Sequence, residues 1–281
     1  MSVRTTTRRR QLGAMMRKLR AARGLTLEEA GRLVGVSKAT ISRYETQAGP
    51  VKWLVIDALC REYGATESER KAVVELAKDA KQQGWWRSFA DSIPESMNLL
   101  LTLEDEAVRE DHFSCVYVPG LLQTRGYSTA LQQANEVRLE HTEIERLVDI
   151  RMRRQEILTR PKPPRFWAIL DESVIRRVVG SPAIMREQLD RLLEANESPH
   201  VTLQVLPFSK GAHSAALGSF VIIGGTEAAL DVVYVDFHTG SLFLEKEEEL
   251  DRYRLAFEYL RAQALDMETS SSMIHHARKE L

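Results

Sequence analysis

Residues 36–47 read VSKATISRYETQ. Ser37, Lys38, Ala39, Thr40, Ser42 and Arg43 are small, hydroxylic or basic. They lie between Val36, Ile41 and Tyr44, which recur at helical spacing. A helix that turns Ile41 and Tyr44 inward presents the other six outward. Hydroxyls donate and accept, Lys and Arg donate and carry charge, and alanine adds only a methyl. A solvated face normally mixes both signs of charge, whereas this one has almost no acid and no bulk. Its chemistry is hydrogen bonding and charge neutralisation against something narrow and negative.

The flanking residues supply the frame. Leu12, Met15, Met16 and Leu19 predict a helix over 9–22, stopped by Gly24. Thr26 and Glu29 have capping-box spacing and open a short helix over 26–34. Gly35 turns the chain, and Ser37 caps a third helix to about Glu45. After QAGP, Val55, Ile56, Leu59, Cys60 and Tyr63 mark a fourth helix ended by Gly64. Thr66 opens a fifth, with Val73, Leu76, Ala77 and Ala80 inward. Small Ala30 and Gly31 let the second and third helices cross closely. This is the spacing of a helix-turn-helix, with the third helix left free for the major groove of DNA. Lys38 and Arg43 suit guanine edges or phosphates, Ser37, Thr40 and Ser42 donate or accept, and Ala39 suits a thymine methyl. Thr26 and Arg17 join this DNA-binding set. Lys18, Arg20 and the Arg8–Arg10 run would add salt-dependent contacts to the sugar-phosphate backbone.

Charge points the same way. The chain has 281 residues and a net charge of −1. Residues 1–50 hold eleven Lys and Arg against three acids, a net of +8, which leaves −9 on residues 51–281. A basic end on a near-neutral chain suits a polyanion, or else a solubilising tail. No apolar run approaches the ~20 residues that cross a bilayer. The basic start, MSVRTTTRRRQ, is followed by no apolar stretch and is no secretory signal. Cys60 and Cys115 make no CxxC and read as core residues in a reducing cytoplasm.

Beyond residue 82 the character changes. GWWRSFADSIPES (84–96) reads as a packed connection, LLLTLEDEAVRE as helix, and CVYVPG as a short strand closed by a turn. Two helices follow, then a proline break, then the strand RFWAIL. Ser181 and Pro182 start a further helix. HVTLQVLPF, GSFVIIGG, DVVYVDF and SLFLEK are four strands in quick succession, and a last helix carries Leu250, Tyr253, Phe257 and Leu260. The fold class expected is α+β. An all-α five-helix domain spans 1–82, and an α+β domain with an antiparallel sheet flanked by helices spans 83–274. Residues 275–281 are expected to form a frayed tail.

Residues 12–63, in particular LRAARGLTLEEAGRLVGVSKATISRYE, resemble the XRE (Cro/repressor) helix-turn-helix regulators. Two departures stand out. That family usually has glutamine where Leu27 stands, and Leu-Ala in place of Ala30-Gly31. Glycine inside a helix costs ~1 kcal/mol against alanine. GWW, VPGLLQT, RMRRQEILTR, WAILDESVIRR, MREQLDRLLEA, VTLQVLPF and DVVYVD resemble a domain of unknown function. It follows XRE modules in many actinobacterial, antitoxin-like regulators. The resemblance implies transcription regulation and leaves room for a small partner protein.

Other chemistry finds less support. His141 and Glu145 are four apart, which is metal-ligand spacing without a third ligand. His275-His276 falls short of a metal cluster. His213-Ser214 with Asp236 or Asp171 lacks a nucleophile elbow. The glycines at 224–225 open no helix. Trp85, Trp86 and Trp167 with Gln123 and Tyr127 are candidates for an effector pocket, although packing explains them as well. The expectation is a cytoplasmic DNA-binding transcription regulator without enzyme activity, cofactor or metal. It should be a homodimer on a two-fold operator, with the C-terminal domain mediating dimerisation and effector or partner sensing. The alternative is an antitoxin-like module whose main role is to bind a small partner protein.

Overall fold

The structure is a computed structural model that describes residues 7–46, 51–79, 93–135, 139–225 and 231–281. The chain divides into two compact units, Met1–Ala90 and Asp91–Leu281.

The first unit contains α1 (Thr7–Ala22), α2 (Leu27–Leu33), α3 (Lys38–Thr46), α4 (Trp53–Glu62) and α5 (Glu67–Asp79). Leu12, Met16, Ala30, Ile41, Tyr44, Ile56, Leu59, Cys60 and Val73 form its core. The expected capping box at Thr26 is in place. Thr26 Oγ1 accepts from Glu29 N–H at 3.2 Å while Glu29 Oε2 accepts from Thr26 N–H at 2.8 Å. Thr66 and Glu69 repeat the arrangement at the start of α5.

The second unit runs α6 (Glu95–Glu106), β1 (Arg109–Ser114), α7 (Arg125–Asn135), α8 (His141–Arg154), β2 (Arg165–Asp171), α9 (Glu172–Arg176), α10 (Pro182–Ala195), β3 (Val201–Leu206), β4 (Phe220–Gly224), β5 (Val232–Phe237), β6 (Gly240–Leu244), α11 (Glu247–Gln263) and α12 (Met267–Lys279). The sheet order is β3-β2-β1-β4-β5-β6. It is mixed, which corrects the antiparallel expectation. β1 runs parallel to β2, with His112 opposite Ala168, and β2 runs parallel to β3. β4, β5 and β6 add antiparallel on the other side of β1. The reason lies in the connections. The helices α7–α8 and α9–α10 are long enough for parallel returns, whereas short turns allow only antiparallel pairing.

Both faces of the sheet are covered. Phe166, Ala168 and Leu170 of β2 pack with Tyr127, Leu189, Leu192 and Ile274 on one face. Phe113, Ile169, Phe220 and Ile222 pack with Leu250, Phe257 and Leu260 of α11 on the other. Two other differences from the sequence reading have physical causes. The first strand is REDHFS, not CVYVPG, because Glu110 and His112 occupy buried positions and erase the apolar alternation. The end of the chain is helix α12, not a frayed tail. Ile274 and Ala277 are buried, and Asp266 caps the helix by accepting from Thr269 N–H at 2.8 Å. Its serines have a use: Ser270 Oγ accepts from Val205 N–H at 2.9 Å, closing the edge of β3.

Candidate nucleic-acid interface

α2 and α3 cross at Gly31. A Cβ placed there would lie 2.5 Å from the carbonyl oxygen of Val36 and 3.3 Å from the backbone of Ser37. Only glycine lets the turn pass this closely. Val36 N–H donates back to Gly31 O at 2.9 Å, and Gly35 takes φ of 69°, which glycine adopts without strain. The glycine at 31 therefore has a steric cause, and its cost in helix propensity is the smaller effect.

The turn delivers Ser37 to the N-terminus of α3, where its Oγ accepts from Thr40 N–H at 3.2 Å. Ser37 Oγ and Thr40 Oγ1 are 3.0 Å apart, and Arg43 Nη2 donates to Thr40 Oγ1 at 3.1 Å. The three residues form one polar ridge at intervals of three along the helix. Ser37, Lys38, Ala39 and Arg43 are exposed, and Thr40 and Ser42 half-buried. Ile41 and Tyr44 are buried behind them, as their spacing predicts. No acid lies in the first turn of α3.

One pair was not foreseen. Glu45, near the end of α3, is buried and takes Arg20 of α1 in a two-pronged contact, Nε to Oε1 at 2.5 Å and Nη2 to Oε2 at 2.8 Å. Arg20 Nη1 also donates to Leu25 O at 2.6 Å. The hydrogen bond to Glu45 raises the Arg20 pKa further, so the guanidinium stays charged. The sequence reading places Arg20 among the phosphate contacts, but its guanidinium is spent fixing α3 to α1. The available signal was Glu45 itself, an acid on a helix otherwise cleared of acid. Arg17 is exposed, with Nε 3.7 Å from Glu45 Oε2. The Thr26 hydroxyl is engaged inside its capping box, and hydrogen bonds from Thr26 hold Glu29 below the usual carboxylate range. The side chains of Arg8–Arg10 lie outside the described residues.

The candidate pocket residues among those described do not converge. Tyr127 and Gln123 are buried on one face of the sheet. Gln123 Nε2 donates to Val118 O at 2.7 Å, and its Oε1 accepts from Arg151 at 2.8 Å. Trp167 lies on the opposite face, with Nε1 donating to Gln204 Oε1 at 2.8 Å and the guanidiniums of Arg165 and Arg261 over its ring. Packing accounts for Trp167, and Trp85 and Trp86 lie outside the described residues. Among the described residues no group of three or more His, Cys, Asp or Glu side chains could hold a metal. His141 and Glu145 form an exposed pair at 3.6 Å. Ser214 Oγ donates to Ala256 O at 2.8 Å and not to His213.

Two family models match. One, described as a helix-turn-helix domain, covers residues 11–73. The other, described as a domain of unknown function (DUF5753), covers residues 97–276 and so most of the chain. The chain belongs to the DUF5753 family. No curated protein and no solved structure matches it.

In this DUF5753 protein the family domain carries a buried polar seam. Glu104 of α6 takes both prongs of Arg154 at 2.5 Å. Beside them on β1, Glu110 Oε2 lies 2.8 Å from His112 Nε2. Burial pushes the Glu110 carboxyl up to about 8 and the His112 imidazole down to about 3. A protonated Glu110 can donate from Oε2 to the neutral imidazole at neutral pH, while its Oε1 is buried without a hydrogen-bond partner among the described residues. Gln123, which the sequence reading placed in a pocket, instead stands behind Arg151 at the outer end of this seam.

Proposed function

We propose that this protein is a sequence-specific DNA-binding transcription regulator of the XRE type. Its α3 enters the major groove, and Lys38 and Arg43 supply the charged contacts. The observation that carries the reading is the exposed ridge Ser37–Thr40–Arg43 on a helix whose back is fixed by Ile41, Tyr44 and the Arg20–Glu45 pair. A rigid helix with a small, hydroxylic and basic front is what reading base edges requires. The helix-turn-helix match supports the same assignment.

One such module covers a half-site, so the protein acts as a homodimer on a two-fold operator, with half-sites about 34 Å or a multiple apart. The DUF5753 domain serves dimerisation and effector or partner sensing, in the manner of an antitoxin-like regulator, and the protein works in the cytoplasm without catalysis. Among the described residues no helix is long and apolar enough to cross a membrane, which agrees with that placement.

Selection from a random duplex library tests the reading. The expected result is an enriched motif with two-fold symmetry and a spacing of about 10 base pairs or a multiple. Recovery of unenriched sequence would refute sequence-specific binding. An enriched motif without symmetry would refute the dimer.

A further inference from the structure

β1, β2 and β3 run parallel, so their carboxyl ends lie together, and β4 starts beside them. At ~4.8 Å per strand the four neighbouring ends span about 14 Å. The loops at this end are tied to one another by side chains. Ser219 Oγ accepts from Cys115 N–H at 3.0 Å, and Ser173 Oγ donates to Cys115 O at 2.9 Å. Glu172 Oε2 accepts from Phe208 N–H at 2.9 Å. Three of the tied segments turn an apolar side chain to solvent. Val116 follows Cys115, Leu217 stands two residues before Ser219, and Phe208 lies beyond the end of β3. Val116 is 43% exposed, Phe208 58% and Leu217 fully. Single exposed apolar residues are ordinary on a surface. Three brought together from separate loops and fixed by hydrogen bonds mark an interaction site. The free charges around them have one sign. Residues 115–119 carry none. Lys210 and Arg177 are exposed. Arg176 pairs with Glu172 and with Glu280 of α12. Of the acids at this end, Glu172 is buried between Arg176 and the Phe208 N–H, and Asp171 accepts from Ser173 N–H at 2.9 Å.

We propose that this end of the sheet docks an acidic amphipathic helix of a partner protein, with its apolar stripe on Val116, Phe208 and Leu217 and its carboxylates toward Arg177 and Lys210. A helix is ~10–12 Å across with its side chains, which suits the width of the four strand ends. Charge selects this occupant. A second copy presenting the same face would bring like charges together, which opposes self-pairing. Anchoring to an anionic bilayer takes a larger basic cluster than these two cations. The regulatory consequence rests on the partner-sensing reading given above, but the docking does not.

The test is selection from a displayed library of random peptides of about 16 residues, ~24 Å as a helix, on the full chain without DNA. The enriched peptides are then synthesised and their affinities measured by fluorescence anisotropy. The expected result is peptides that combine Leu or Phe at helical spacing with Asp or Glu. Phe208→Ser with Leu217→Ser should weaken their binding by about tenfold or more. Arg177→Glu with Lys210→Glu, which leaves the apolar residues in place, should turn the selection toward Lys and Arg. All four positions are exposed, and circular dichroism confirms that each variant is folded. No enrichment, enrichment of basic or uncharged peptides, or binding that survives the Phe208/Leu217 change would overturn the proposal. Two controls name the rival occupants. A dimer in sedimentation that dissociates in the Phe208/Leu217 variant would assign the face to a second copy and overturn it. Binding to phosphatidylcholine–phosphatidylglycerol vesicles that the same variant loses would assign it to a membrane and overturn it too. DNA affinity measured with and without an enriched peptide then separates the two readings. A changed affinity supports partner sensing through this face. An unchanged affinity beside intact peptide binding would end the sensing role and leave the docking surface standing.

Discussion

Replacing Gly31 by alanine sets two effects against each other. Helix propensity alone favours alanine by ~1 kcal/mol at an interior position of α2. The geometry opposes it. The new Cβ would lie 2.5 Å from Val36 O, inside the 3.0 Å that real Cβ atoms respect, and 3.4 Å from Lys38 N. These are backbone atoms and cannot rotate away, so the turn must open. Overpacking of this kind costs roughly 1–3 kcal/mol, and weakening the 2.9 Å bond from Val36 N–H to Gly31 O adds about 1 kcal/mol. The net expectation is a loss of about 1–3 kcal/mol. Hydrogen exchange read by mass spectrometry on peptides covering 20–46 measures the first unit separately from the second. Faster exchange across α2 and α3 is expected. DNA affinity should fall as well, because Ser37 and Lys38 ride on the displaced turn. A stabilisation of ~1 kcal/mol with unchanged DNA affinity would show that propensity governs this position and that the close crossing is not required.

Other perturbations test separate parts of the account. Arg43→Ala should weaken specific DNA binding by ~1–3 kcal/mol if Arg43 reads a base; if it holds a phosphate, the loss is uniform across sequences and the salt slope becomes shallower. Unchanged affinity removes Arg43 from both roles. Arg20→Ala strands a buried carboxylate, and a full loss would cost about 3–5 kcal/mol. Arg17, already 3.7 Å from the same oxygen, can take part of the load, so about 2–3 kcal/mol is expected in denaturant unfolding, with strong coupling in a cycle with Glu45→Ala. Additive effects in that cycle would deny the clamp. Glu110 is raised by burial to about 8, so between its unfolded value near 4.5 and about 8 the folded chain holds one proton more. Stability should therefore fall as pH rises from 6.5 to 8, with a slope of at most ~1.4 kcal/mol per unit from Glu110. At the lower end of that window His112, lowered by burial to about 3, is about half protonated in the unfolded chain and opposes the fall, while Glu104, pushed up by burial to about 7, adds to it. Glu110→Gln should flatten this fall in thermal unfolding scans, and an unaltered slope would place the proton elsewhere.

The first unit was readable because its signals are local. Caps at Thr26 and Ser37, the glycine at 35 and the inward pair Ile41 and Tyr44 each act within one turn of helix. Arg20 was misplaced because its partner lies on a different helix, 25 residues on, and an arginine alone reads equally as a surface cation. In the second unit β2 to β6 were visible as apolar runs, but β1 was hidden by Glu110 and His112, which are buried on the face where apolar residues mark a strand. Strand direction was missed for a related reason. Short turns imply antiparallel neighbours, yet β3 pairs with β2 across a helical crossover and not with β4, which follows it in the chain. Gln123 was read as a candidate for an effector pocket, but its bond to Arg151, 28 residues on, is a contact that spacing does not encode. α12 was lost for the same reason, because its serines make sense only against the edge of β3.

The central claim is that α3 reads DNA. The most direct measurement is fluorescence anisotropy of the purified full-length chain on its own upstream region and on scrambled duplex, across a salt series, beside the Lys38→Glu/Arg43→Glu double variant. The account predicts binding that favours the upstream duplex, weakens steeply with salt and is lost in the folded double variant. Equal affinity for both duplexes, or binding that survives the double charge reversal, would contradict it.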